Sequence, residues 1–287
     1  MSEPLSPFIT RHAQRLEAVG IDHAANEVEW TLCHLLRVDR LHLYLEGLTQ
    51  FDDRLRAEFE SVMQRRLTRE PLQYILQHAP FYGRDFFVSP AVMVPTPETE
   101  SLCETALGYL DELELEHPRI LDVGVGSGVI AVTMAAERPE SRVVALDISD
   151  DALAVARTNA ETHEVLERVE FRRSDLFRSL TPDERFDLIL SNPPYIAEPD
   201  YADLPPEVRA DPKVAMTAGS DGLDIIRRLL ADAPDHLARQ GRLMFEIGYD
   251  QAEKVAALTA ADPRYTFLSI IRDLNDIDRI VVLGCDR

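Results

Sequence analysis

Long apolar runs are missing from these 287 residues. No stretch is long enough to span a bilayer, and the N-terminus lacks the basic-then-apolar pattern of a secretory signal. Neither a membrane partner nor export is expected. Cysteine is scarce. Cys33, Cys103 and Cys285 are odd in number and far apart, which gives no metal-ligand spacing and no disulfide framework, and suits a reducing cytoplasm. Lysine is scarcer still, with Lys213 and Lys254 standing against 28 arginines. Positive charge as a whole is short, at 30 bases to 51 acids and a net charge of −21. The deficit is uneven: −3 over residues 1–80 and −18 over residues 81–287. Such a surface repels phosphate backbones, so direct contact with nucleic acid is not expected at ordinary ionic strength. Acidity with so little lysine also suits adaptation to high salt, where screening weakens that exclusion.

What is present is enough for two domains with a sizeable core: 45% of the residues are hydrophobic. In residues 8–79, apolar side chains recur at helical spacing (Leu16, Val19; Ala24, Val28, Leu32, Leu35, Leu36; Leu55, Phe59, Val62, Met63, Leu67). Gly20, Gly47 and Pro71 break the segments, so residues 1–79 read as a bundle of four or five short helices. Arg54, Arg56, Arg65, Arg66 and Arg69 are expected on solvated faces. Residues 80–96 hold two β-prone runs, Phe81–Val88 and Ala91–Val94, split at Ser89-Pro90, and read as a hairpin connector. Thr96-Pro97-Glu98-Thr99-Glu100 then opens a helix with a capping residue, a proline and first-turn acids.

From residue 118 strands and helices alternate, the pattern of a doubly wound parallel sheet. Strands are expected at 119–123, 142–147, 168–172, 186–191 and 241–247, and helices near 127–137, 150–162, 222–237 and 250–261. Tyr265–Arg272 and Asp278–Leu283 have no helix between them, which makes them a hairpin and the last strand antiparallel to its neighbours. Residues 97–287 are therefore expected to form an α/β domain.

Two loops of this domain carry chemistry. Ile120–Val123 runs as a strand into Gly124-Val125-Gly126-Ser127-Gly128 and a helix. Glycines there let a ligand approach the backbone, and a helix N-terminus offers free N–H groups. Val129 occupies the place where a nicotinamide fingerprint needs its third glycine, which favours a ligand without pyrophosphate. Asp147 ends the next strand, where an acid can take both hydroxyls of a ribose. Asp175-Leu176 follows the third strand, placed to bracket an adenine. After the fourth strand comes Ser191-Asn192-Pro193-Pro194-Tyr195. Its prolines stop the strand and stiffen the loop. The Asn192 carbonyl oxygen and the Pro193 carbonyl can accept both hydrogens of one NH2 group, and Tyr195 can stack on a flat amide or base. Fixing the plane of an NH2 in this way leaves one face of nitrogen open to an electrophile.

In this order the signals resemble the class I S-adenosylmethionine-dependent methyltransferases. Glu70-Pro71-Leu72-Gln73-Tyr74-Ile75, Phe81-Tyr82-Gly83, Val94–Glu100, Asn192–Ile196 and Asp221-Gly222-Leu223-Asp224 narrow the resemblance to the protein-(glutamine-N5) methyltransferases, and extend it over nearly the whole chain. It implies an enzyme that methylates the glutamine of the Gly-Gly-Gln loop in peptide chain release factors, working in the cytoplasm as a monomer. It also implies that residues 1–79 recognise the release factor. Gly124, Val125, Gly126, Ser127, Gly128, Asp147, Asp175, Leu176 and Asn192 are then expected to bind S-adenosylmethionine, and Asn192, Pro193, Pro194 and Tyr195 to hold the glutamine. Thr96, Val125 and the stretch Asp211–Met216 depart from the family's usual pattern. The alternatives are glutamine methylation of a ribosomal protein, N6-adenine methylation of nucleic acid after base flipping, and a non-catalytic cofactor-binding adaptor. The negative catalytic portion speaks against the nucleic-acid reading.

Overall fold

The computed structural model describes residues 4–113, 115–273 and 275–285; the remainder, including the first and last residues of the expected domains, lies outside the described residues. The chain forms two compact units. One comprises the stretch up to His78 together with Pro205–Ala210, and the other comprises Ala79–Leu204 and Asp211 onward.

The first unit holds five α-helices among the described residues: α1 (Leu5–Glu17), α2 (Ala24–Leu36), α3 (Arg40–Glu46), α4 (Asp53–Leu67) and α5 (Leu72–Leu76). Asp39 and Asp52 cap α3 and α4 by accepting from the backbone N–H of His42 and Leu55. The periodic apolar residues of the sequence, apart from Val19, which is exposed beyond the end of α1, meet in one core containing Phe8, Leu16, Val28, Leu32, Phe59 and Met63. Two expectations fail here. Arg66 is not on a solvated face: it is 3% exposed, between Glu27 (2.7 Å) and Glu207 (2.8 Å). Arg69 also pairs with Glu207, at 2.6 Å. These ion pairs explain why the remote segment Pro205–Ala210 belongs to the helical unit: a buried guanidinium requires carboxylate partners. Burial raises the pKa of Glu207, but hydrogen bonds from Arg69 and Arg66 outweigh it and hold the group down at about 2.

The second unit opens with β1 (Ala79–Phe81) and β2 (Arg84–Phe86), paired antiparallel. The hairpin turn is Tyr82-Gly83 and not Ser89-Pro90. Both turn residues have positive φ (49° and 69°), the geometry whose twist matches that of the flanking strands. Ser89-Pro90 lies outside any strand, and Ala91–Val94 forms none.

The remaining elements are α6 (Pro97–Leu113), β3 (Arg119–Val123), α7 (Val129–Glu137), β4 (Arg142–Asp147), α8 (Asp150–Thr162), β5 (Val169–Arg173), β6 (Phe186–Ser191), α9 (Lys213–Met216), α10 (Asp224–Asp232), β7 (Leu237–Glu246), α11 (Ala252–Ala260), β8 (Phe267–Arg272) and β9 (Asp278–Gly284). The strands form one sheet in the order β5-β4-β3-β6-β7-β9-β8. It is parallel from β5 to β7, and β9 runs antiparallel to both β7 and β8. Alternate strand residues serve opposite faces: Ile120, Leu188 and Leu190 enter one apolar layer, and Leu121, Val123 and Ile189 the other. The chain winds outward from β3 through β4 to β5, then crosses back to place β6 on the other side of β3. That reversal opens a crevice at the carboxyl ends of β3 and β6, the position where such sheets bind ligands.

Candidate active site

The Gly124–Gly128 turn and the Asn192–Tyr195 loop leave adjacent strands, β3 and β6, so the two stretches expected to carry chemistry flank one crevice. The cavity there measures about 240 Å³, and its lining includes Gly124, Val125, Gly126, Ser127, Asp147, Asp175, Leu176, Asn192 and Pro194. A larger hollow of about 590 Å³, lined by Arg119, Arg142, Arg157 and Arg168 among others, lies at the amino ends of β3, β4 and β5. It contains none of these residues, and it lies at the opposite end of the sheet from the carboxyl ends of the strands, where such sheets bind ligands.

The glycine turn is shaped by its own backbone. Gly124, Gly126 and Gly128 all have positive φ (82°, 52° and 86°), a region costly for residues with a Cβ. Each glycine has a different neighbour. A Cβ on Gly124 would meet nothing within 4 Å, whereas one on Gly128 would lie 3.1 Å from Ala156 Cα and Cβ. Gly124 therefore leaves backbone open to a ligand, and Gly128 lets α7 approach α8 closely without lining the cavity itself. The N–H groups of Gly124 and Val125 both donate to the Leu146 carbonyl, at 2.8 and 2.9 Å. Asn159, buried in α8, donates to the carbonyls of Ser127 (2.8 Å) and Phe87 (2.9 Å) and accepts from Phe87 N–H. Sequence reasoning missed Asn159, because nothing local marks a helical Asn as a buried bridge.

Asp147 lies at the end of β4. One carboxylate oxygen accepts from Gly126 N–H at 3.0 Å and the other from Ser149 N–H at 2.9 Å. Each oxygen keeps a second lone pair, so the group can still accept two hydroxyls. Capping of α8 falls instead to Ser149, which accepts from Ala152 N–H at 3.2 Å. Burial raises the Asp147 pKa, against backbone hydrogen bonds, those of Ser149 and Gly126 foremost, that lower it. Asp175 is less available than expected, since its carboxylate is held by Arg228 (2.6 Å) and Arg178 (3.1 Å). Arg228, which lines the cavity, gave no signal in the sequence.

The Asn192 loop is fixed on all sides. Ser191 Oγ donates to the Val123 carbonyl at 2.7 Å, tying β6 to the end of β3. Ile196 N–H donates to the Met216 carbonyl (3.0 Å), and the Ile196 carbonyl accepts from Ala218 N–H (2.9 Å). The buried Gln251 side chain donates to the carbonyls of Tyr195 (2.9 Å) and Gly222 (3.3 Å) and accepts from Gly248 N–H. Gly222 has no alternative residue: its φ is 74°, and a Cβ would lie 2.1 Å from the Tyr195 carbonyl oxygen. Asn192 and Pro194 line the cavity, while Tyr195 packs against the apolar layer containing Phe245 and Ile247. The Asn192 amide nitrogen donates to Thr99 Oγ1 at 3.0 Å, so the segment Pro97–Glu100 is more than a helix start.

The donor set suits S-adenosylmethionine. An acid with free lone pairs, an open glycine backbone and the apolar surfaces of Val125, Ile148 and Leu176 provide for a ribose diol, a polar amino-acid end and a flat base. Among the described residues no group of three or more His, Cys, Asp or Glu could hold a metal ion, and no helix is long and apolar enough to cross a membrane.

Comparisons with known proteins give the family. The family described as Methyltransferase small domain matches residues 105–203, and that described as PrmC N-terminal domain matches residues 9–76. A methyltransferase of known structure from Pyrococcus furiosus shares the fold, at 18% identity and a TM-score of 0.52 over 78% of this chain and 98% of its own. The release factor glutamine methyltransferase of Cereibacter sphaeroides is 42% identical over 93% of each chain. Its namesake from Nitratidesulfovibrio vulgaris is 40% identical over 95% of this chain and 92% of its own. The chain therefore belongs to the release factor glutamine methyltransferase family.

Proposed function

We propose that this enzyme transfers a methyl group from S-adenosylmethionine to the side-chain amide nitrogen of the glutamine in the Gly-Gly-Gln loop of a peptide chain release factor. The observation that carries the reading is Asn192 on the rim of the glycine-turn cavity, its amide nitrogen engaged by Thr99 and its carbonyl oxygen left for a substrate. Gly124–Ser127, Asp147, Ile148 and Leu176 would hold the cofactor, which supplies an electrophilic methyl group on a sulfonium.

An amide nitrogen is a poor nucleophile because its lone pair is delocalised into the carbonyl. No His, Cys or Lys occurs in Ser191–Tyr195 to serve as a base, so placement has to supply most of the effect. Asn192 Oδ1 and the Pro193 carbonyl accept the two hydrogens of the substrate NH2 and fix its plane. Near-attack positioning of this kind is worth up to roughly 7–11 kcal/mol. The two bonds strengthen as nitrogen becomes positive, which stabilises the transition state more than the bound substrate. The proton leaves afterwards, because an N-methylated amide cation is strongly acidic.

The helical unit is read as the element that recognises the release factor. Supporting this, α3 exposes Leu41 and Leu45 at 66% and 72%, one turn apart on one face. Such apolar exposure is what a protein partner would cover. A release factor as substrate also suits the acidity of the chain, which disfavours nucleic acid.

Asn192→Ala tests the assignment. It removes one acceptor and frees the substrate nitrogen to rotate, and loss of one such contact typically lowers kcat by about 10²–10³. Asn192→Asp keeps an acceptor at nearly the same place and should retain more activity than Ala, provided cofactor affinity is preserved. Near-wild-type turnover in Asn192→Ala would refute the assignment.

A further inference from the structure

The hollow of about 590 Å³ at the amino ends of β3, β4 and β5 is lined by Arg119, Arg142, Arg157 and Arg168, a gathering of positive charge in a chain of net charge −21. The sheet itself sets three of them in a row. Arg119 and Arg142 are the first residues of β3 and β4 and pair with each other in the parallel register. Arg168 directly precedes Val169, which pairs with Val143, the residue after Arg142. Adjacent strands lie about 4.8 Å apart, and like charges side by side on them repel. Many arginines of this chain are matched with acids, as Arg172 is with Glu170 and Glu184. None of the four around the hollow forms an ion pair among the described residues. Arg157 donates to the Phe171 carbonyl at 3.0 Å and Arg142 to the Ser141 carbonyl at 3.3 Å, while Arg119 lies over the Phe186 ring. The Nε of Arg168 is buried with no hydrogen-bond partner, a cost in stability that a bound acceptor would remove. Nearby acids do not offset this charge. Glu170 is held at both oxygens by Arg172 (2.7 and 2.9 Å), and Asp187 accepts from the backbone N–H of Arg119 at 2.8 Å. Glu167 is the other acid on the rim.

We propose that the amino end of the sheet is a second ligand site, separate from the methyl-transfer site, which binds a small anion carrying two or three linked phosphates through Arg119, Arg142, Arg157 and Arg168. Guanidinium forks match phosphate oxygens, and their charge does not vary with pH in the physiological range. A phosphate group brings up to two negative charges and three acceptor oxygens in one compact body, so two or three of them offset this cluster where a single carboxylate would not. The volume lies within the range of small-molecule sites, about 300–1,000 Å³. Its floor is apolar, made by the buried side chains of Val143, Val169 and Phe171, and gives a flat or aliphatic portion of the ligand a place to rest. A nucleic-acid strand fits less well: it would run beyond the arginines onto a unit whose net charge is strongly negative, whereas a small anion stays within them.

The test is calorimetric titration of the full-length protein at low ionic strength with inorganic tripolyphosphate, ATP, sulfate and a short RNA oligonucleotide. Tripolyphosphate should bind at one per chain, at least about tenfold more tightly than sulfate, and more weakly as salt is added. Arg142→Gln and Arg168→Gln should each weaken it by about tenfold or more, the usual worth of a hydrogen bond between charged groups. Affinity for S-adenosylhomocysteine should stay unchanged in both, since the glycine turn and Asp147 lie at the other ends of β3 and β4. Arg54→Gln, at an exposed arginine of the helical unit, should leave tripolyphosphate binding as it is. ATP binding more tightly than tripolyphosphate would identify a nucleotide with its base on the apolar floor, and equal affinity would identify recognition of the phosphates alone; both uphold the site. Thermal unfolding supplies a second sign. Arg168→Leu removes an unpartnered buried donor and should raise the Tm of the free protein by about 2–4 °C, while tripolyphosphate should raise the Tm of the wild type and not of this variant. Absence of saturable binding, equal affinity in the wild type and both Gln variants, or the same loss in Arg54→Gln would overturn the proposal. Tighter binding of RNA than of tripolyphosphate would overturn it in favour of a nucleic-acid surface, and a lowered Tm in Arg168→Leu would make Arg168 a structural residue and remove it from the site.

Discussion

Asp147→Ala is the perturbation that separates a cofactor ligand from a structural acid. The wild-type carboxylate accepts from Gly126 N–H at 3.0 Å and Ser149 N–H at 2.9 Å, which holds the glycine turn against the end of β4. Hydrogen bonds to a charged group contribute about 1.5–3 kcal/mol each. Burial opposes this, because it raises the Asp147 pKa, so the net loss of stability in the free protein should be modest, about 1–2 kcal/mol. The loss in cofactor affinity should be larger than that modest change suggests, since two ribose hydroxyls lose their acceptor and the turn loses its tether together. A loss of about 1.5–3 kcal/mol corresponds to a Kd weakened roughly 10–150-fold. Asp147→Asn should not rescue binding, because its NH2 would face the N–H of Gly126 or Ser149, donor against donor. The assay is calorimetric titration with S-adenosylhomocysteine, alongside thermal unfolding of the free protein. A Kd within twofold of wild type in folded Asp147→Ala would refute the reasoning, as would wild-type affinity in Asp147→Asn.

Gly222→Ala should force the Tyr195 carbonyl away from a Cβ that would otherwise lie 2.1 Å from it. A displacement of that order in the Asn192 loop should cost about 100-fold in kcat with little change in affinity for S-adenosylhomocysteine; unchanged kcat would contradict the loop's role. Leu41→Glu with Leu45→Glu alters only exposed side chains, and should raise KM for intact release factor while sparing cofactor affinity and thermal stability. An unchanged KM would take α3 out of the recognition surface. Stability should depend on pH in a defined way. Burial raises Asp122 and Glu246 to about 7, so between about pH 4 and 7 the folded state binds more protons than the unfolded state. Stability then falls as pH rises through that window, by at most about 4 kcal/mol per group. Glu207, held at about 2, has the opposite sign and loses its contribution as pH falls from about 4.5 toward 2. Thermal midpoints should therefore peak near pH 4, and a midpoint rising steadily from pH 5 to 8 would contradict the signs.

The sheet was legible because its signals are local. Apolar runs such as Phe186–Leu190 end in turn formers, and the strand spans 119–123, 142–147, 168–172, 186–191 and the two at the close of the chain lie within a residue or two of where the sequence puts them, while the strand expected at 241–247 begins four residues earlier. The two loops could be read for the same reason: glycines and prolines state their own backbone requirements. What escaped depends on contacts between distant residues. Tyr82 carries a positive φ that no rule assigns to tyrosine, so the hairpin turn was placed at the more conspicuous Ser89-Pro90. Arg66 looks like any surface arginine until Glu27 and Glu207 close on it. Thr99 satisfies the rules for a helix N-terminus so well that its bond to Asn192 was hidden. Gln251 and Asn159 bridge segments that only the fold brings together.

Mass spectrometry of a release factor incubated with the enzyme and isotopically labelled S-adenosylmethionine tests the central claim most directly. The account predicts a single added methyl group on the peptide containing the Gly-Gly-Gln sequence, with fragmentation placing the label on the glutamine side-chain nitrogen. No transfer to the factor, or label on any other residue, would contradict it.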